Sequence, residues 1–148
     1  DEGSGLSRND RASARAVTQV LACMFKSKNG SFDLFRGSLA VAGMDGTLDK
    51  RMRMPDVKGR VFAKTGYIKG VRTLAGYVHT HQDKWLAFAF FYNNANTARV
   101  RQMQDQASRP LVACPNTGTP TTATVKANGV KTAASVEAPS KVVTRRGP

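Results

Sequence analysis

Apolar residues recur at helical spacing near the start of the chain. The positions i, i+3, i+4, i+7 and i+8 of one helical face are occupied by Val17, Val20, Leu21, Met24 and Phe25. Asn9 or Asp10 precedes this run and is of the residue type that caps the first turn of a helix. The pattern predicts a helix between Asp10 and Lys26 whose apolar face packs against other elements.

Three apolar runs in the middle of the chain predict β-strands. They cover about 60 to 65, 72 to 80 and 85 to 92, and the connections "GYIKGV" and "THQDK" are short enough for antiparallel hairpins. The last run, "WLAFAFFY", is apolar on both faces and predicts a central strand covered by helices on both sides. A closing helix is predicted over about 96 to 109, ending before Pro110, with Val100, Met103 and Ala107 on one face.

The pattern between the first helix and the strands is irregular. A short apolar segment from Phe32 to Val41 is followed by "GMDGTLDKRMRMPD", in which glycines and a proline punctuate a connection. We interpret "DGT" at 45 to 47 as a structural turn rather than a substrate contact. A solvated loop is predicted for the basic cluster of Lys50, Arg51, Arg53, Lys58 and Arg60.

The composition changes near Pro115. From there to the end the chain is rich in Thr, Ala, Pro and Lys, has no aromatic residue and shows no sustained apolar period. Such a segment buries too little apolar surface to offset the entropy of ordering. We therefore expect residues 1–112 to form the domain and residues 113–148 to form a disordered basic tail.

The chain of 148 residues is strongly basic, with 23 Lys and Arg against 10 Asp and Glu and a net charge of +13. This balance favours anionic partners, either nucleic acid or an anionic polymer such as a cell wall. The bases of the body are not interleaved with exposed aromatic residues, and no helix-turn-helix, zinc or RNA-binding signature is present. A nucleic-acid-binding module is thus the alternative hypothesis, and we expect no nucleic-acid partner.

Membrane, metal and cofactor sites are not predicted. The longest apolar run is far shorter than the roughly 20 residues of a membrane helix, and no basic leader with an apolar core opens the chain. We therefore expect no integral membrane segment and no signal peptide in this chain, although a chain that begins with Asp1 does not decide export. His79 and His81 share one strand face, but no convincing third and fourth ligand lies nearby in the sequence.

Three segments match one family in the right order. "GSGLSR" (3–8), "LAVAGMDGTLDKRM" (39–52) and "GRVFAKTGYIKGVRTLAGYV" (59–78) resemble the C-terminal part of the D-alanyl-D-alanine carboxypeptidase/endopeptidases, the low-molecular-mass penicillin-binding proteins. The resemblance covers about residues 2–112 and departs at Glu2, where the family usually has Asp. It implies an α/β (α+β), β-lactamase/transpeptidase-like fold, in which an antiparallel sheet is sandwiched by helices. This chain would supply the C-terminal half of that fold: a helix, three antiparallel strands and a closing helix.

The family has three motifs, of which one stands in its place here. These are Ser-x-x-Lys for the nucleophile and its activating lysine, Ser-x-Asn for proton relay, and Lys-Thr-Gly on an edge strand. The third matches Lys64-Thr65-Gly66, whereas Ser-x-x-Lys is absent from the 148 residues. Ser27-Lys28-Asn29 spells Ser-x-Asn but follows "GSGLSR", while the motif of the family precedes it, so we interpret this triplet as the polar end of the first helix. Without the flanking matches, a strand lysine, a β-forming threonine and a hairpin glycine would be the simpler interpretation.

The resemblance implies a role for each residue of the surviving motif. Lys64 and Thr65 would hold the terminal carboxylate of a peptide ending in two D-alanines, and Gly66 would let the substrate backbone approach closely. The backbone N–H of Tyr67 would supply the half of the oxyanion hole that belongs to the strand. Lys64, Thr65 and Gly66 are the expected catalytic residues, and no metal is expected.

The activity implied is that of a serine-type carboxypeptidase that hydrolyses peptidoglycan stem peptides through an acyl-enzyme. It implies β-lactams as inhibitors, no cofactor, a periplasmic or extracytoplasmic location, and a partner in the missing N-terminal half of the domain. A remnant that binds cell wall without catalysis remains an alternative, because the same residues would serve both.

Overall fold

The computed structural model describes residues 5, 7, 9–27, 29–93, 97–114, 123–127 and 130–137. In chain order its elements are α1 (Ala14–Lys26), α2 (Ser31–Gly37), β1 (Ala40–Val41), a 3-10 turn (Gly46–Leu48), β2 (Val61–Ile68), β3 (Val71–His79), β4 (Trp85–Asn93), α3 (Thr97–Val112), β5 (Ala123–Ala127) and β6 (Val130–Glu137). The strands form one antiparallel sheet in the order β1-β2-β3-β4-β6-β5. No helix described in the structure is long and apolar enough to cross a bilayer.

The three predicted strands are confirmed as β2, β3 and β4. The first runs further than predicted, because Ile68 pairs with Val71 and leaves only Lys69 and Gly70 as the hairpin loop. Gly70 has φ +85°, a conformation that favours glycine. β4 is central, as predicted, since it pairs with β3 on one side and β6 on the other.

Each face of the sheet is covered by its own helical layer, which follows from the alternation of side chains along β2 and β3. The first face packs under α3 and the connection that precedes β2, and its buried residues include Leu48, Val57, Val61, Ala63, Leu74, Val78, Val100 and Val112. The second face packs under α1 and α2 and includes Leu21, Leu39, Tyr77 and Ala87. Full burial of a residue such as Val61 of β2 contributes about 1.5–3 kcal/mol, so packing against the helical layers stabilises the position of β2.

Helix α1 begins later than predicted. The cap is Ser13, whose Oγ accepts a hydrogen bond from the Ala16 N–H at 3.0 Å, rather than Asn9 or Asp10. The buried face is also rotated, because it follows Ala14, Thr18 and Leu21. Val20, which the apolar pattern assigned to that face, is 66% exposed.

Helix α3 continues through Pro110 to Val112, so the predicted end before the proline is wrong. A proline removes one helical N–H, but here it lies in the last turn, where the disruption affects little of the helix. The residues after it favour continuation, because Val112 is buried in the core under the sheet and Leu111 packs against that core.

Two parts of the segment expected to be disordered over 113–148 are strands, and residues 115–122, 128–129 and 138–148 lie outside the described residues. Residues 123–127 and 130–137 form β5 and β6, and β6 pairs with β4 along Leu86 to Phe90. Without this pairing β4 would present an open row of backbone donors and acceptors. The sequence between the two strands is Asn-Gly, a dipeptide typical of two-residue hairpins. The expectation rested on the composition of this segment. Composition carries no information about the edge of β4 with which the segment can pair.

Candidate functional site

The candidate motif lies on the part of β2 that β1 leaves uncovered. β1 pairs only through Ala40 with Ala63 and Val41 with Phe62, so within the described part of the chain β2 has no partner on that side beyond Ala63. The Ala42 N–H donates to the Val61 carbonyl at 2.9 Å, which shows that the odd-numbered residues of β2 direct their backbone groups away from β3. By the alternation of an antiparallel strand, the backbone groups of residues 65 and 67 face the open edge.

Lys64 is exposed on this edge. Its Nζ donates a hydrogen bond to the Thr65 carbonyl oxygen at 2.7 Å. An ammonium group has three donors, so this contact leaves capacity for an incoming acceptor. The geometry therefore presents a cation at the point where the strand edge opens.

Thr65 meets the "DGT" turn. Its hydroxyl donates to the Thr47 hydroxyl at 3.2 Å. Asp45 is structural, as interpreted from the sequence, because its Oδ1 accepts from the Val41 N–H at 2.6 Å. Thr47 also lies in this turn, as interpreted, and its hydroxyl lies beside the motif because the turn folds back against β2.

Gly66 and Tyr67 complete the motif. Gly66 pairs with Thr73 of β3, and a Cβ at Gly66 would collide with the Thr73 hydroxyl unless that side chain changed rotamer, so the neighbouring strand favours a glycine here. The side chain of Tyr67 is 60% exposed. The Arg72 guanidinium lies over its ring at 4.1 Å, a distance typical of a cation–π contact.

A cavity of about 330 Å³ lies beside this motif, between the β2–β3 hairpin and α3. Arg51 lines it and is not the solvated loop residue expected from the sequence. Its side chain is 13% exposed and its Nη2 lies 2.6 Å from Asp105 Oδ1. The sequence of the basic cluster does not indicate this ion pair, because Asp105 lies 54 positions after Arg51, on α3.

Ser27 ends α1, as predicted for the polar triplet at 27 to 29, and its N–H donates to the Met24 carbonyl at 3.2 Å. The sequence interpretation missed a second Ser-x-Asn triplet, which a scan for the motif would have found at residues 7 to 9. In the structure the Asn9 N–H donates to Ser7 Oγ at 3.2 Å, so the first and third residues of this triplet contact each other.

His79 is held by contacts with an aspartate and a tryptophan. His79 Nε2 lies 2.7 Å from Asp83 Oδ1, and its ring stacks on Trp85 with centroids 4.7 Å apart. Among the residues that the structure describes, no three His, Cys, Asp or Glu side chains come together in a way that could hold a metal ion.

Comparison with known proteins gives relatives of one kind. The chain is 33% identical over 113 residues to D-alanyl-D-alanine carboxypeptidase DacB of Haemophilus influenzae, which covers 75% of this chain and 23% of the relative. It is 35% identical over 113 residues to a D-alanyl-D-alanine carboxypeptidase of Actinomadura, covering 71% and 20%. It is 30% identical over 99 residues to penicillin-sensitive carboxypeptidase A of Dictyostelium discoideum, covering 64% and 19%. The chain therefore spans about a fifth to a quarter of the length of these relatives.

Solved structures agree on the fold. Penicillin-binding protein 4 (DacB) from Haemophilus influenzae gives a TM-score of 0.63 at 25% identity, covering 72% of this chain and 25% of that one. The same protein complexed with a novel β-lactam gives 0.62 at 31% identity, covering 74% and 26%. The expected α+β fold with an antiparallel sheet and flanking helices is confirmed. The model of the D-Ala-D-Ala carboxypeptidase 3 (S13) family matches residues 1–112, and the chain belongs to that family.

Proposed function

We propose that this chain carries the substrate-binding strand of a serine-type D-Ala-D-Ala carboxypeptidase/endopeptidase that acts on peptidoglycan stem peptides. The observation that carries the proposal is the position of Lys64-Thr65-Gly66 on the uncovered edge of β2. An edge strand of this kind can take up an extended peptide by backbone pairing, with side chains on either face to select it. Membership of the family supplies the reaction class.

The terminal carboxylate of the substrate is assigned to Lys64 and Thr65. Among the described residues, the Lys64 ammonium donates to a neutral carbonyl oxygen at 2.7 Å, and a carboxylate is a stronger acceptor for it. The Thr65 hydroxyl donates to Thr47 at 3.2 Å and can turn to the same carboxylate. We expect the charged contact to contribute about 1.5–3 kcal/mol and the neutral one about 0.5–1.5 kcal/mol.

The acyl-transfer step needs a serine that this chain does not carry. In the proposal a Ser-x-x-Lys serine from another part of the domain attacks the scissile carbonyl carbon and forms an ester, while the C–N bond breaks and D-alanine leaves with a proton. Water then hydrolyses the ester and regenerates the serine. The Tyr67 N–H faces the open edge by strand alternation and is assigned to the developing oxyanion. One such donor is worth about 2.7–4 kcal/mol in the transition state.

The partners follow from the same assignment. The substrate is a peptidoglycan peptide, and β-lactams are inhibitors, because both bring a carboxylate and an acylating carbonyl to the strand. The name of the Dictyostelium relative, penicillin-sensitive carboxypeptidase A, and the β-lactam complex of the Haemophilus protein support this choice. An extracytoplasmic location belongs to the proposal, since that is where peptidoglycan lies.

A fluorescent penicillin tests the proposal. The 148-residue chain should form no covalent adduct, whereas a protein that also carries the Ser-x-x-Lys segment should be labelled at that serine. In this larger protein, Lys64→Ala should slow labelling by tenfold or more, because the cation for the carboxylate is lost. Lys69→Ala is the matched control, since Lys69 is an exposed lysine of the hairpin loop outside the motif.

Two outcomes would contradict the proposal. Labelling of the 148-residue chain alone would place the nucleophile elsewhere, and unchanged labelling of Lys64→Ala would remove the lysine from the site. Binding of peptidoglycan without any labelling of the larger protein would favour the non-catalytic alternative.

A further inference from the structure

We propose that the edge of β4 is an interaction surface between two copies of this chain, which exchange their β5–β6 hairpins to form a closed dimer. In the structure the hairpin pairs with β4 of its own chain. In the dimer the same hairpin pairs with β4 of the second copy. This edge lies on the opposite side of the sheet from the Lys-Thr-Gly strand, so the proposal is independent of peptide hydrolysis.

The edge of β4 requires a partner strand. Residues 86–90 are all buried, and their backbone pairs with β3 on one side and with β6 on the other. An apolar strand with an open edge offers unpaired N–H and C=O groups to any extended chain that reaches it. In a solution of this protein the strand with the matching ladder is β6, either from the same chain or from a neighbouring copy.

The ladder that holds the hairpin to β4 is short and interrupted. Val130 and Lys131 of β6 pair with β5 but not with β4. The register also shifts between Ala87 and Phe88, where Ser135 has no partner on β4. Such a bulge disrupts the ladder locally. The chain has two cysteines and both are free, so no disulfide ties the hairpin to the sheet. The pairing can therefore open without breaking a covalent bond.

A detached hairpin has little stability of its own, because two strands without a further partner are marginal in water. It gains its order from β4, and β4 of a second copy offers the same backbone groups. The ladder per chain is thus the same in the monomer and in the exchanged dimer, and the two states differ in how many copies share it. Protein concentration then decides between them.

The connection to the body is long enough for this exchange. Helix α3 ends at Val112 and β5 begins at Ala123, so ten residues, 113–122, join them. A segment of this length spans at most about 33–36 Å, whereas neighbouring strands are only about 4.8 Å apart. The end of α3 lies beside the turn before β4, since the Val112 carbonyl accepts from the His81 N–H at 3.0 Å. The connection can therefore reach the β4 edge of its own sheet or of one placed beside it.

Reciprocal exchange also explains why the association should stop at two copies. Each chain gives one hairpin and receives one, so no β4 edge is left open. The net charge of +13 on each copy opposes the encounter. Salt screens this repulsion, because the Debye length falls below about 10 Å above about 0.1 M. The dimer is therefore best measured in about 0.3 M NaCl, where charge repulsion between the copies is weak.

A disulfide across the β4–β6 ladder reports which copy receives the hairpin. Ala89 and Ala133 are direct partners, and antiparallel partners have Cα atoms about 4.5–5.5 Å apart, which a disulfide can bridge. The test uses the full 148-residue chain with Ala89→Cys and Ala133→Cys, in which Cys23→Ser and Cys114→Ala remove the natural thiols. With a tether that gives an effective concentration in the millimolar range, oxidation should yield a few per cent of covalent dimer at about 10 µM protein and roughly half at about 1 mM.

Ala123→Cys with Ala134→Cys is the matched control, because these partners lie within one hairpin. It should give monomeric disulfides at both concentrations, since the hairpin carries both residues wherever it docks. Sedimentation velocity of the unmodified chain should show monomer and dimer alone, with the dimer increasing with concentration. This second measurement keeps the test decisive if a cysteine variant does not fold.

Three outcomes would overturn the proposal. Monomeric disulfide alone in the Ala89→Cys, Ala133→Cys protein at the higher concentration would show that the hairpin stays with its own chain. No disulfide at all in that protein, when folded, would show that β6 does not pair with β4 in this register. A series of species larger than a dimer in the unmodified chain would indicate open edge-to-edge pairing in place of closed exchange.

Discussion

Tyr77 is the residue through which α1 is tied to the sheet. Its hydroxyl donates to the Leu21 carbonyl oxygen at 2.7 Å, and the side chain is almost fully buried. Its ring meets Phe32 edge-on, with centroids 5.1 Å apart. Burial raises the pKa of Tyr77 to about 12 from its ordinary value near 10.

The raised pKa of Tyr77 predicts a loss of stability at high pH. Between pH 10 and 12 the folded chain keeps the phenol proton while the unfolded chain releases it, so the free energy of unfolding falls as pH rises. This contribution is complete below pH 10 and is lost through the folded pKa near 12. Tyr77→Phe should remove it, together with about 0.5–1.5 kcal/mol for the hydrogen bond at neutral pH.

Urea unfolding of both proteins at pH 8, 10 and 11.5 measures this effect. Lysines titrate in both proteins, so the difference between them isolates Tyr77. The difference should shrink as pH rises. A constant difference across this range would show that the Tyr77 hydroxyl does not resist ionisation in the folded chain.

Gly76 shows how closely β2 and β3 approach. A Cβ at Gly76 would lie 2.7 Å from the Ala63 Cα, against backbone that cannot move aside without disturbing the register. Gly76→Ala should therefore lower the free energy of unfolding by about 1–3 kcal/mol, as is typical of overpacking. Gly37→Ala is the control, because no atom lies within 4 Å of its added Cβ. Chemical denaturation compares the two, and equal stabilities would contradict the close approach.

At the scale of elements, regular periodicity predicted most of the fold. The strands β2, β3 and β4 and the helices α1 and α3 follow from apolar runs, because side-chain period reports which face is buried. The ends of these elements did not follow, since Ser13, Pro110 and the Ile68–Val71 pair depend on individual contacts. Nor did β5 and β6, because their pairing depends on the edge of β4, which the composition of residues 113–148 does not reveal.

The candidate site was also predictable only in part, because some of its residues are far apart in the sequence. Lys64 to Tyr67 are contiguous, so a resemblance could identify them. Thr47 lies 18 positions before Thr65, and Gln104 lies 53 positions after Arg51, so only the folded chain brings them together. The residues that line the neighbouring cavity therefore could not be predicted from the sequence, because they are far apart along the chain.

The hairpin of β5 and β6 predicts the result of truncation. Ending the chain at Cys114 removes the partner of β4 and leaves an apolar central strand with one unpaired edge. We expect such a chain to self-associate, which sedimentation velocity would detect as species larger than a monomer. A chain ending at Glu137 keeps both strands and should behave as the full chain. A truncated chain that stays monomeric and equally stable would instead support the disordered tail expected from composition.

At the scale of the whole molecule, the high positive net charge is not accounted for by the candidate site. The net charge is +13, and the stretch from Pro115 onward contributes only five bases and one acid to it. The body is therefore basic in its own right, which favours attraction to any polyanion. This attraction is also the basis of the nucleic-acid alternative, so the two explanations have to be separated by their response to salt.

Heparin chromatography in a salt gradient separates them. Attraction by charge alone works through counterion release and weakens steeply with salt, so the 148-residue chain should elute below about 0.5 M NaCl. The chain ending at Glu137 lacks Lys141, Arg145 and Arg146 and should elute earlier, because fewer counterions are displaced. Retention beyond that salt concentration, together with stronger binding to one DNA sequence than to another, would require specific contacts and would favour a nucleic-acid-binding function. Elution of both chains at low salt, with no preference among polyanions, would leave the basic surface as a general attraction to anionic polymers such as a cell wall.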